Sequence, residues 1–193
     1  MGHGAGAVPL SISRPPTGGD RMEFRILTER DAEAFHHLYR EALQTYPEAF
    51  YRTPEEGVGT VEEVAAFLRE RGGPDDFVLG AFDGETLVGM VGFVRNTVVK
   101  TRHRGHIWGM YVRPDRQGRG IAYRLMEALI NRAKTCSGLE QITLTVVSEN
   151  RPAKALYAKW GFQKYGTYPR SLRGNGRALD EDYMVLFLKS DGS

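Results

Sequence analysis

Residues 107 to 122 constrain this chain more than any other stretch. Ile107-Trp108-Gly109-Met110-Tyr111-Val112 has the β-branched and aromatic content of a buried strand, and Pro114 ends it by removing a ladder donor. Beyond the turn, Ile121, Leu125, Ala128 and Leu129 fall at i, i+4, i+7 and i+8, the spacing of a helix with one buried stripe. A helix opening near Gly118 to Gly120 presents N–H groups that no preceding turn satisfies. Such an end carries about half a positive charge and suits a phosphate or pyrophosphate. Glycine there lets an anion approach the backbone, and Arg113, Arg116 and Arg119 add cations to the rim. A plain helix start ringed by surface arginines accounts for this loop equally well when it is taken alone.

Spacing excludes two familiar phosphate loops. A dinucleotide fingerprint G-x-G-x-x-G beginning at Gly118 needs a small residue where Tyr123 stands, and the Gly-Lys-Ser/Thr of a Walker loop occurs nowhere.

Composition narrows the class further. The 193 residues suit one domain, large enough to bury roughly 70% of its unfolded surface. With 26 basic against 24 acidic residues the net charge is +2, so there is no global field of the kind a nucleic-acid binder carries. Basic residues cluster locally instead, over 102 to 104 and 113 to 119. The single cysteine, Cys136, excludes an internal disulfide and a Cys-cluster metal site, and agrees with a cytoplasmic location. No apolar run approaches the ~18 residues of a membrane span, and the N-terminus has no signal-peptide pattern.

Read in order, residues 1 to 21 are Gly-, Pro- and Ser-rich and are expected to be a disordered tail. Residues 23 to 27 read as a strand. Thr28-x-x-Asp31 caps a helix carrying Ala32, Phe35, Leu38, Tyr39 and Ala42 inward, and Thr60-x-x-Glu63 caps another that buries Val64, Phe67 and Leu68. Residues 77 to 82 and 86 to 95 form the clearest hairpin. The basic segment 96 to 104 reads as a loop. After the central helix come a β-branched strand at 141 to 147 and a helix from Asn150 to Gly161. Two last strands are expected over 162 to 168 and 183 to 189, joined by a Gly- and Arg-rich loop at 170 to 180. The order β, α, α, β, β, β, α, β, α, β, β implies an α/β (α+β) fold, a mixed sheet with helices on both faces.

Gln117-x-x-Gly120-x-Ala122, after a Val-x-Pro strand end, resembles the acetyl-CoA-binding motif of the GCN5-related N-acetyltransferase (GNAT) superfamily, Arg/Gln-x-x-Gly-x-Gly/Ala. Downstream, Glu149-Asn150, then Ala153-x-x-Leu156-Tyr157, then Gly161-Phe162 looks like the same superfamily's second block. The resemblance implies a GNAT-like acyl-CoA N-acyltransferase domain over 22 to 190 with a mostly antiparallel, splayed sheet. It implies transfer of acetyl from acetyl-CoA to a primary amine by direct attack, with no metal. The acceptor is either a small-molecule amine or a peptide or protein amine. A CoA-binding regulatory module without turnover is the alternative, and a terminal strand of such a fold often contributes to a homodimer.

The resemblance also assigns roles. Gln117, Gly118, Arg119, Gly120, Ile121 and Ala122 would hold the cofactor's phosphates. Backbone groups of Met110, Tyr111 and Val112 would pair with the pantetheine amides, as an added strand does, and Asn150 would hydrogen-bond the same arm. Tyr157 would protonate or hydrogen-bond the departing sulfur; as an isolated residue it reads as a core aromatic on the stripe with Ala153, Leu156 and Trp160. Some members carry a glutamate on the central strand where this chain has His106, a candidate base acting directly or through water, or else a solvated histidine. Cys136 and the pair His36-His37 carry no role. Asp180-Glu181-Asp182 reads as a surface feature at a strand end, with charge that could attract a cationic amine.

Overall fold

Hydrogen bonds at three sequence positions decide where helices begin. The computed structural model describes residues 22–188; the expected tail over 1 to 21 and Lys189 lie outside the described residues. β1 (Met22–Ile26) leads to Asp31, whose carboxylate accepts from the Thr28 N–H (2.8 Å) and from both Arg25 Nη atoms (2.9 and 2.7 Å). α1 (Ala32–Thr45) follows directly. Thr60 and Glu63 exchange side-chain to backbone bonds of 2.7 and 3.2 Å at the start of α2 (Val61–Glu70). The Asn150 side chain accepts from the Ala153 N–H (3.2 Å) and starts α4 (Arg151–Lys159). Each such cap is worth about 1 kcal/mol.

The remaining elements are β2 (Asp76–Asp83), β3 (Thr86–Arg95), β4 (Arg104–Val112), α3 (Ile121–Ala133), β5 (Gln141–Val147), β6 (Gln163–Gly174) and β7 (Arg177–Phe187). Among the described residues, seven strands form one sheet in the order β1-β2-β3-β4-β5-β7-β6. Every neighbouring pair is antiparallel except β4 and β5. That parallel pair is short: Arg104, Gly105 and His106 oppose Gln141, Ile142 and Thr143, and the strands then part. The sheet is therefore splayed at its centre.

Helices cover both faces. α3 lays Leu125, Met126, Leu129 and Ile130, all 2% exposed or less, on a cluster that includes Phe77, Val91, Phe93, Ile142 and Leu144. α1 and α2 lay Phe35, Leu38, Val64 and Leu68 on the other face, against Val78, Phe82, Met90 and Tyr111. Fully burying each such side chain contributes about 1.5–3 kcal/mol. Across the β3–β4 pair, Trp108 lies flat on Gly92, where a Cβ would meet the indole at 2.0 Å. One residue further on, β4 bulges: Met90 pairs with Tyr111 but Gly92 with Trp108, and Gly109 takes a positive φ of 65°.

The stretch 170 to 180 corrects the sequence reading. It is the outer half of a long hairpin: β6 runs to Gly174 and β7 starts at Arg177. Asn175 (φ 50°) and Gly176 (φ 75°) make the two-residue turn, both in the left-handed region that such hairpins require. This arm stands mostly in solvent, so its sequence lacks the apolar alternation that marks a strand.

Candidate active site

The turn into α3 has the form that an anion needs. Gln117 closes the loop from inside, its Nε2 donating to the Val112 carbonyl (2.9 Å) and to the Tyr46 hydroxyl (3.2 Å). Gly118 and Gly120 both have left-handed backbone, φ 76° and 75°, and a Cβ at either would meet nothing within 4 Å. Glycine is required there for its conformation, and the space beside it is open. The N–H groups of Gly118, Arg119 and Gly120 donate to no other group among the described residues. Open donors on such a turn, at a helix N-terminus, fit a pyrophosphate. Ile121 is buried and Ala122 packs on the core, which leaves their N–H groups as what they can offer a ligand.

Two arginines of this rim are engaged elsewhere. Arg113 Nε lies 3.4 Å from Glu41 and 3.5 Å from Asp115, and Arg116 reaches Asp83 and Asp115 at 3.3 Å each. They tie the loop to α1 and to the end of β2. Arg119 makes no ion pair among the described residues.

Where β4 and β5 part, a cleft of about 330 Å³ opens between them. Tyr157, His106, Asn150 and Met110 all line it, so the structure gathers four of the expected residues in one place. The Tyr111 and Val112 side chains do not: Tyr111 donates its hydroxyl to Glu41 (2.9 Å) among the residues under α1, and Val112 is in the core. Burial pushes the Tyr111 phenol up to about 12.

Tyr157 is 7% exposed, and burial pushes its phenol up to about 12. It therefore keeps its proton at neutral pH. His106 is pushed down from the ordinary imidazole value by burial, which favours the neutral ring. Thr143, opposite it on β5, settles the tautomer. The Thr143 hydroxyl donates its one hydrogen to the Gly105 carbonyl (3.1 Å), so toward His106 Nδ1 (3.1 Å) it accepts. Nδ1 then carries the proton and Nε2 keeps a lone pair. Asn150 uses its carbonyl oxygen as the helix cap, leaving its NH₂ group for a ligand.

The acidic triplet on β7 is not a surface feature at a strand end. Glu181 is 4% exposed and Asp182 0%, both in mid-strand, and only Asp180 is exposed. Asp182 accepts from Lys154 (2.5 Å), Lys164 (2.8 Å), Ser148 (2.8 Å) and Thr167 (2.9 Å). Desolvation pushes this carboxyl up, but the four hydrogen bonds outweigh it and hold the group well below the usual range. Lys154 also donates to the Ser148 carbonyl (3.1 Å), so Asp182 fastens α4 to β5 and β6. Glu181 points to the other face and lines the cleft. Thr143 and Tyr51 were not assigned from sequence, and Glu181 was read only as part of an acidic triplet whose charge could attract a cationic amine. The Asn175-Gly176 turn was the signal that would have extended β7 back to Leu179 and set the alternation Leu179, Glu181, Tyr183, Val185 on one face.

Among the described residues, no helix is long and apolar enough to cross a membrane, and no three His, Cys, Asp or Glu side chains group as metal ligands. Residues 32–162 match the model of the acetyltransferase (GNAT) family. The mycothiol acetyltransferase of Brachybacterium faecium is 31% identical over 162 residues, covering 83% of this chain and 46% of that protein. The chain thus spans less than half the length of that relative. The N-alpha-acetyltransferase RimI of Mycobacterium tuberculosis is 38% identical over 113 residues, 58% of this chain and 68% of that one. Among solved structures, yncA of Salmonella typhimurium, determined with its cofactor acetyl-CoA, superposes with a TM-score of 0.78 at 22% identity, over 89% of this chain and 96% of the other. With its splayed sheet, its open turn before α3 and a family match that runs from α1 to the end of α4, the chain belongs to the acetyltransferase (GNAT) family.

Proposed function

We propose that this protein transfers the acetyl group of acetyl-CoA to a primary amine by direct attack, with the reaction centre in the β4–β5 cleft. The observation that carries this reading is the meeting of Tyr157, His106 and Asn150 in one cleft beside a turn of open N–H groups. Names of relatives support it: one is a mycothiol acetyltransferase and another an N-alpha-acetyltransferase.

Acetyl-CoA, when bound, supplies an activated acyl thioester. Gly118 to Ala122 hold its pyrophosphate through backbone N–H groups, and Gln117 keeps that turn in shape from below. The β4 backbone from Met110 to Val112 and the Asn150 amide would hold the pantetheine arm through its amides, in the manner of strand addition. His106 Nε2 takes the proton of the attacking amine, directly or through water. Tyr157 donates to the sulfur as it departs. A phenol near 12 facing a thiolate of ordinary pKa near 8.5 gives up its proton uphill, by about 5 kcal/mol. Burial raises a neighbouring thiol as well, so the gap narrows inside the cleft and the hydrogen bond itself carries much of the stabilisation.

The test is calorimetric titration of acetyl-CoA, paired with release of free thiol in the presence of amines and peptides. Gly120→Glu should weaken acetyl-CoA binding about 100-fold, since a side chain at positive φ is strained and a carboxylate repels the phosphates. Tight binding with no thiol release toward any amine would make this a CoA-binding module without turnover. No binding at all would overturn the reading.

A further inference from the structure

Glu181 is a buried carboxylate that lacks a cation. It is 4% exposed, and among the described residues no Lys or Arg lies within ion-pair distance of it. Two hydroxyls hold it, Tyr51 at 3.3 Å and Ser171 more closely, and both donate to the same oxygen, Oε2. Oε1 accepts nothing among the described residues, yet it is not among the sealed, unsatisfied polar atoms; it is open to the cleft that Glu181 lines. An enclosed carboxylate with one oxygen facing the cleft and no cation beside it among the described residues is placed to pair with a cation that enters the cleft. The other full charge on the cleft, Arg52, turns its guanidinium toward the Gly57 carbonyl (3.5 Å).

Register places this carboxylate on the acceptor side. Val147 opposes Glu181 and Thr143 opposes His106, and both lie on the same face of β5. The two positions are four residues apart, about 13 Å at strand rise, with room for an amine and bridging water between them. Tyr157 and Asp182 approach from the opposite face, with α4. On the Glu181 side the cleft is walled by the rings of Phe50, Tyr39 and Trp108.

We propose that Glu181 is the residue that recognises the acceptor: its Oε1 binds the ammonium of a protonated primary amine whose apolar or aromatic body lies along that wall. The proposal rests on the acetyltransferase reading and adds the substrate class. The amine arrives as ammonium, is neutralised as an ion pair in the cleft, and passes its proton on toward His106.

The experiment is calorimetric titration of protein saturated with CoA, using 2-phenylethylamine and its neutral isostere 2-phenylethanol as probes. The wild type should bind the ammonium at least tenfold tighter than the alcohol. Glu181→Gln should abolish that preference while keeping its CoA affinity, and Tyr51→Phe, which leaves the carboxylate in place, should retain the preference. Equal affinities for the two probes in the wild type, or a preference that survives in Glu181→Gln, would overturn the proposal. So would binding of neither probe. Should Glu181→Gln fail to fold, the wild-type comparison still decides. Failure of the underlying reading shows separately, as no CoA binding in the first titration, and takes this proposal with it.

Discussion

Glu181 and Asp182 are chain neighbours, both buried, on one strand, and they face opposite ways. Asp182 is saturated by two lysines and two hydroxyls drawn from β5, α4 and β6. Glu181 has two hydroxyls on one oxygen and no cation among the described residues. A carboxylate whose lone pairs are all spoken for holds a structure together; one left half-satisfied beside a cleft is available to something else. Asp182 fastens α4 in place on one face, whereas on the face under α1 and α2 Glu181 keeps one oxygen turned toward the cleft.

The strongest way to break this contrast is Asp182→Ala. It removes four hydrogen bonds to a buried carboxylate and should cost about 3 kcal/mol in urea unfolding, Lys154 and Lys164 being exposed enough to hydrate once released; a loss under 1 kcal/mol would mean that α4 is held by its apolar face alone. The linkage has a definite sign. The Asp182 carboxyl is lowered from its ordinary 3.8 in the folded state, so its contribution is complete above pH 3.8 and is lost as pH falls below it.

On the same side, Tyr157→Phe should lower kcat about 100-fold, some 2.7 kcal/mol of barrier, with little change in stability. Because burial pushes the phenol to about 12, wild-type activity should show no alkaline loss from this group below pH 10.

Across the sheet, Thr143→Val removes the acceptor that fixes the His106 tautomer. A drop of about tenfold in kcat/KM with unchanged acetyl-CoA affinity is expected; an unaltered rate would mean that Thr143 does not set the His106 tautomer. The acid limb of the wild-type profile should lie below 6.5, because burial lowers the His106 pKa.

The smallest effect sharpens the comparison most. Glu181→Gln should change stability by less than about 1 kcal/mol, since no ion pair is broken. A loss as large as that of Asp182→Ala would make both carboxylates structural.

Much of the fold was legible because local chemistry agreed with the global arrangement. Thr60 and Glu63 form the capping box that their spacing announces, and Gly118 to Gly120 open α3 as the apolar stripe of Ile121, Leu125 and Leu129 requires. The outer β6–β7 arm was not legible, because most of its side chains are exposed and, Leu179 apart, little burial alternation is written into its sequence. Within the site, Tyr157 and Asn150 sit in a motif of fixed local spacing. Glu181 and Thr143 reach the cleft only through pairing between β5 and β7 and between β4 and β5, contacts 30 or more residues apart along the chain. The arginines misled for a related reason: their charge is visible in sequence, whereas the Glu41 and Asp83 that engage Arg113 and Arg116 are brought there by the fold.

Trp108, pressed on Gly92 and walling the cleft, gives the molecule a built-in optical probe. The chain has two tryptophans. The other, Trp160, packs tilted by 30° against Tyr123 at 4.6 Å between centroids and does not line the cleft. Emission from the two indoles should therefore separate by ligand: an amine entering beside Trp108 alters the colour and quenching of one emitter while the second serves as an internal reference.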